Sequence, residues 1–183
     1  MNSGDCFYES KTLEKIFAGK KWDDTDLIYG DTLEEEYGEY YCFRKCPERI
    51  EERMPFSHQS VFVRRELMEK FPFDLSYPIA ADYHFLLRLH RDGYSFADSG
   101  EIVAVVSKTG VSSVRLKDTY LESVRLRKNM GILQPDDMEL KKRLWTITLK
   151  QFGMDHFPAW LKYCIRKVQK KLRHQKRIDY KRG

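Results

Sequence analysis

A chain of 183 residues is long enough to bury one sizeable core and carry an appendage. Its 42% hydrophobic and 14% aromatic content excludes a disordered chain, no apolar run approaches the ~20 residues that span a bilayer, and the polar, acidic start reads as neither a secretory signal nor a transit peptide. The net charge of +5 is uneven: residues 162–183 hold ten Lys or Arg against the single Asp179, which leaves 23 of 33 basic and 27 of 28 acidic residues in 1–161, so body and tail need separate explanations.

In chain order, the first feature is a polar turn, Asn2-Ser3-Gly4-Asp5, made wholly of turn formers. Cys6, Phe7 and Tyr8 lead from it into a short helix over 12–17. Residues 26–29 (DLIY) predict a short apolar strand that stops at Gly30-Asp31, and 33–43 alternate loosely, as a solvent-facing strand or hairpin does. A polar loop or helical turn follows at 46–53. Val61-Phe62-Val63 predicts a buried strand, and 65–70 a short helix stopped by Phe71-Pro72.

The spacing over 79–91 puts Ile79, Tyr83, Leu86, Leu87 and His90 on one face of a helix that Gly93 ends. Strands are expected at 94–96 and 102–106, a turn at 110–113, and helices over about 117–130, 136–152 and 160–177. No internal repeat or Gly/Ser linker divides the chain, and 131–135 is the nearest thing to a boundary. The four cysteines (Cys6, Cys42, Cys46, Cys164) include one C-x3-C pair without a second pair to complete a zinc site. A reduced, cytoplasmic chain is the expectation.

Four polar clusters sit at the edges of apolar elements: Asn2-Ser-Gly-Asp5, Tyr29-Gly-Asp31, Ser57-His-Gln-Ser60 and Ala80-Ala-Asp82-Tyr83. Open α/β sheets collect ligand groups at such strand ends. Asp82 opens an apolar helix behind two small alanines. It reads either as a carboxylate favoured by the helix dipole or as a general base within reach of an acceptor hydroxyl. Asp5 reads as a turn residue or as a hard oxygen donor for Mg²⁺ or Mn²⁺. His58 with Gln59 reads as a hydrogen-bonded pair at a strand start or as a ligand or hydrogen-bond donor to a phosphate, and Asp31 most simply as a turn residue.

Taken together, "MNSGD", "DLIYGD", "MPFSHQSVFVRRELMEKFPFDLSYPIAADYHFLLRLHRDGYSF" and "EIVAVVSKTGVSS" resemble the C-terminal half of a family-2 glycosyltransferase. The type is that of bacterial polysaccharide and cell-surface glycan synthesis, with a GT-A fold. The resemblance covers roughly residues 1–130 and is carried above all by HQS-x-F, FD-x-x-Y and ADY-x-x-x-L-R-L falling in order. It implies an α/β fold, a mixed sheet with flanking helices, followed by a helical basic extension over 131–183.

The resemblance also implies the chemistry. An inverting enzyme would move a sugar from a nucleotide-sugar donor to a glycan or lipid-linked acceptor. Asp82 matches the catalytic base, and Asp5 the surviving carboxylate of a DxD-like turn that holds Mn²⁺ or Mg²⁺ against the donor diphosphate. Gly4 stands where many members carry a second acid. His58 and Gln59 match a pocket-lining HQ pair, and Asp31 is expected nearby, on the acceptor side or in a structural role. In the family a nucleotide-binding half precedes the polar turn. The chain therefore reads as a truncated or split enzyme, and catalysis would need the donor half, with its uracil or guanine pocket, from a second polypeptide.

The tail places Trp160, Leu161, Cys164, Ile165, Val168 and Leu172 along one helical face, with Lys and Arg on the rest. That pattern suits a helix packed on a core with a solvated basic edge, or one lying on an anionic membrane surface. No nucleic-acid module accompanies the basic run, so no nucleic-acid partner is expected. The rival to the enzyme is a non-catalytic half-domain that is peripheral to the inner face of the cytoplasmic membrane or binds a partner.

Overall fold

The computed structural model describes residues 4–19, 22–43, 45–107, 115–133, 138–172 and 177–180, in which the chain forms two compact units. The turn expected at 110–113 and the helix start expected at 136 lie outside the described residues.

The first unit comprises Met1–Asp74, Asp82–Lys108 and Lys176–Gly183. It is an α/β unit built on a mixed, open sheet. The central strand is β2 (Leu27–Glu36), with α1 (Thr12–Phe17) and the two-residue strand β1 (Cys6–Phe7) before it in the chain. Leu27, Ile28 and Tyr29 are all buried, as in a strand with neighbours on both sides and layers on both faces. β2 does not stop at Gly30-Asp31. It runs through them: Tyr29 and Asp31, either side of Gly30, pair with Asp98 and Ile102 of β5 (Phe96–Ser107), parallel to it.

β3 (Glu39–Cys42) folds back on β2 through Tyr37 and Gly38, both with positive φ (56° and 75°), the two-residue turn whose twist matches a hairpin. β4 (Val61–Val63) pairs with the first half of β2, antiparallel, and is half-buried where a buried strand was expected. α2 (Arg65–Lys70) follows as predicted.

The strands expected at 94–96 and 102–106 are one strand, β5. Its pairing with β2 shifts twice, between Tyr29/Asp31 and Asp31/Thr32, so Ser99-Gly100-Glu101 bulges out of the ladder. Asp98 Oδ1 accepts from the Gly100 N–H at 2.9 Å and shapes that bulge. The expected helix over 79–91 is Ala81–Arg91 (α3). His90 is exposed, and Phe85 and Leu89 are buried with Tyr83, Leu86 and Leu87. The buried face is therefore wider than a single stripe. Gly93 (φ 83°) ends the helix: its N–H reaches His90 O and the Tyr94 N–H reaches Leu89 O.

Two strand pairings have no warning in the pattern. Cys6 and Phe7 pair antiparallel with Val105 and Ala104 of β5. Arg177–Ile178 (β6) pairs with Tyr41 and Tyr40 of β3, so the basic helix expected to reach 177 has already ended. Tyr180 then stacks on Tyr8 (5.3 Å) and meets Tyr40 edge-on (5.0 Å).

The second unit comprises Leu75–Ala81 and Thr109–Gln175. Its helices are α4 (Leu116–Asn129), α5 (Met138–His156) and α6 (Ala159–Leu172). Glu122 of α4 accepts the N–H groups of Ile79 and Ala80, both at 2.7 Å, and Arg125 lies over the Tyr77 ring. Gln151 of α5 accepts from the Leu116 N–H at 2.9 Å. No helix among the described residues is long and apolar enough to cross a membrane.

Candidate functional site

The centre of the candidate site is a single 3₁₀ turn, His58–Ser60, just ahead of β4. Its three consecutive side chains diverge to three different elements. His58 Nδ1 lies 2.9 Å from Asp82 Oδ2, in the first turn of α3. Gln59 Nε2 donates to Asp5 Oδ2 at 3.2 Å, in the turn ahead of β1. Ser60 Oγ donates to Asp31 O at 3.2 Å and accepts from the Thr32 hydroxyl of β2. A 3₁₀ turn has three residues per turn, so successive side chains point about 120° apart. That geometry lets one tripeptide reach three elements.

Each partner is also held from elsewhere. Asp82 Oδ1 accepts from the Tyr83 N–H at 2.7 Å, and Tyr83 OH donates to Ile50 O at 2.7 Å. Asp5 Oδ1 accepts from the N–H of Ser107, the last residue of β5, at 3.4 Å. Gln59 Oε1 accepts from Ser57, which fixes the amide so that its NH₂ points at Asp5. Asp5 thus sits at the C-terminal end of a strand parallel to the central one, where open sheets present ligand groups. Asp82 and His58 are both partly open to solvent.

Four of the five sequence-derived residues, Asp5, His58, Gln59 and Asp82, are brought together around this turn. Asp31 joins them only through its backbone. Its carboxylate pairs with Lys45 at 3.2 Å, and Lys45 also bonds Asp98 at 2.6 Å. Burial works against the Lys45 ammonium, but the hydrogen bonds and charges of Asp98 and Asp31 together outweigh it and hold the group above the ordinary lysine value. Lys45 lies 5.8 Å from the centre of the Tyr29 ring, whose other neighbour is Phe56, stacked at 4.4 Å. Burial pushes the Tyr29 hydroxyl up.

Sequence reasoning missed Lys45 and Asp98. Lys45 has no pattern to mark it. Asp98 opens Asp-Ser-Gly inside an otherwise apolar strand, the signal of a bulge.

Among the described residues no three His, Cys, Asp or Glu side chains gather as a metal-binding group. No family model matches the chain, and neither a curated protein nor a solved structure matches it. Fold and site define an α/β protein with a mixed open sheet and a carboxylate–imidazole–amide cluster at one strand end.

Proposed function

We propose that the chain is the acceptor-side half of a GT-A glycosyltransferase, which moves a sugar from a nucleotide-sugar onto a glycan or lipid-linked acceptor with inversion. The observation that carries this reading is the turn His58–Ser60, which ties the expected base Asp82 to the expected donor-side carboxylate Asp5 through adjacent residues. A base and a diphosphate-binding group must lie within one substrate's length of each other, and a two-residue link achieves that.

Asp82 takes the proton of the acceptor hydroxyl. That oxygen bonds to the anomeric carbon from the face opposite the diphosphate. The bond from the same carbon to the diphosphate oxygen breaks, and its electron pair leaves with the nucleoside diphosphate. His58 positions the base: with the Tyr83 N–H on one carboxylate oxygen and the imidazole on the other, the carboxylate is held in one plane. Gln59 keeps Asp5 facing the donor side. Asp5 would hold a Mg²⁺ or Mn²⁺ ion, which would supply positive charge against the departing diphosphate.

The test is calorimetric titration of the chain with UDP and with GDP, each with and without Mn²⁺, followed by transfer assays with the matching nucleotide-sugars. Metal-dependent binding that Asp5→Ala removes is expected. Asp82→Asn should keep nucleotide binding and lower transfer about 10²–10⁴-fold. Undiminished transfer by Asp82→Asn sinks the base assignment. Absence of nucleotide binding by the folded chain refutes a donor site on these residues.

A further inference from the structure

Helices α5 and α6 present their largest apolar side chains to solvent. On α5, Trp145, Leu149 and Phe152 are 68%, 51% and 56% exposed at spacings i, i+4 and i+7, so they share one face. His156, one turn on, stacks on Phe152 with ring centres 4.2 Å apart and extends the stripe. On α6, Trp160 and Val168 are 67% and 59% exposed, with exposed Cys164 between them at the same helical spacing. Leu161 and Ile165, expected on that face, are instead half-buried. A helix packed on a core buries its apolar stripe. These two helices turn theirs outward.

The charge around the stripes is one-sided. Residues 141–171 contain nine Lys or Arg and a single acid, Asp155. Lys141 and Lys142 flank the α5 stripe, and Lys167 and Lys171 flank that of α6, all four exposed. A second copy of the chain would set the same cations against one another. A single-stranded nucleic acid would use the aromatic rings and leave Leu149 and Val168 without a role. An anionic lipid surface matches both features, with phosphates for the lysines and an apolar layer below for Trp145, Leu149, Phe152, Trp160 and Val168.

We propose that α5 and α6 dock the protein on an anionic bilayer surface, lying in the headgroup layer without crossing it. The proposal is independent of the transfer reaction. The test is co-sedimentation of the full chain with phosphatidylcholine vesicles, with and without phosphatidylserine, alongside tryptophan emission. Binding to the anionic vesicles only, with a blue-shifted emission and affinity that falls as salt rises, is expected. The variant Trp145→Ala/Leu149→Ala/Phe152→Ala should bind at least about tenfold more weakly, and Lys141→Gln or Lys142→Gln about fivefold more weakly each.

All of these positions are exposed, and circular dichroism of each variant checks the fold. Because the wild type is itself compared across lipid composition and salt, the proposal stays open to refutation if a variant fails to fold. It is overturned by equal wild-type binding to neutral vesicles, by no vesicle binding, or by unchanged binding of the triple variant. It is equally overturned if the triple variant loses self-association or nucleic-acid binding while the wild type ignores vesicles.

Discussion

Gly30 is the position where the fold tolerates least. It lies in the central strand, opposite the β5 bulge. A Cβ built there would meet Val103 Cγ2 at 2.5 Å, Glu101 O at 2.6 Å and Ser99 Oγ at 2.7 Å. Ordinary carbon contacts lie near 3.5–4.0 Å, so all three atoms would have to retreat by roughly 1 Å together. Val103 is fully buried, and Glu101 O belongs to the backbone of the paired strand. Neither can move without parting β2 from β5. Over-packing costs ~1–3 kcal/mol when side chains alone adjust, and here backbone must shift, so Gly30→Ala is expected to cost about 3 kcal/mol. For a chain of this size that lowers Tm by about 6–12 °C.

Gly93→Ala is the control. It has nothing within 4 Å but a φ of 83°, so it should cost only ~1–2 kcal/mol, through backbone strain. Thermal and urea unfolding of both variants decides the matter. Gly30→Ala melting within about a degree of wild type, or above Gly93→Ala, would refute the reasoning. The perturbation also reaches the site, since Asp31 and Thr32 follow Gly30 directly and hold Ser60.

Two further predictions concern polar ties. Backbone and hydroxyl hydrogen bonds from Ser95 hold the Asp26 carboxylate below the ordinary aspartate value. The unfolded chain then binds more protons in the window just below about pH 4, so this stabilisation is present above that pH and fades as pH falls through the folded value. The stability gap between wild type and Asp26→Asn, measured by urea unfolding, should close on acidification, and a constant gap would count against it. At the buried Thr32–Ser60 pair, Ser60→Ala leaves the Thr32 hydroxyl and Asp31 O short of a partner and should cost ~1–3 kcal/mol. Adding Thr32→Val should recover part of that loss in a double-mutant cycle. Strict additivity would show that the two hydroxyls do not act together.

Local pattern was enough for α2, α3 and the helices of the second unit, because each is specified by residues a few positions apart; at 33–43 it left strand or hairpin open and pointed to solvent, whereas Leu33 and Tyr41 are buried. The polar tripeptide His58-Gln59-Ser60 was legible as a cluster for the same reason. What it binds was not, since Asp5 lies 54 residues from Gln59, and Asp82 and Asp31 sit on separate elements. The continuity of β2 through Gly30-Asp31 and the union of two expected strands into β5 come from cross-strand pairing, which no local signal reports. The same holds for β1 and β6, two-residue strands that exist only because β5 and β3 offer an edge. Composition and helical spacing by themselves determined that the last helix is amphipathic and cationic. Only the tertiary structure decided which apolar side chains, Leu161 and Ile165 against Trp160 and Val168, stay half-covered and which face outward, because burial depends on what the rest of the chain brings against each face.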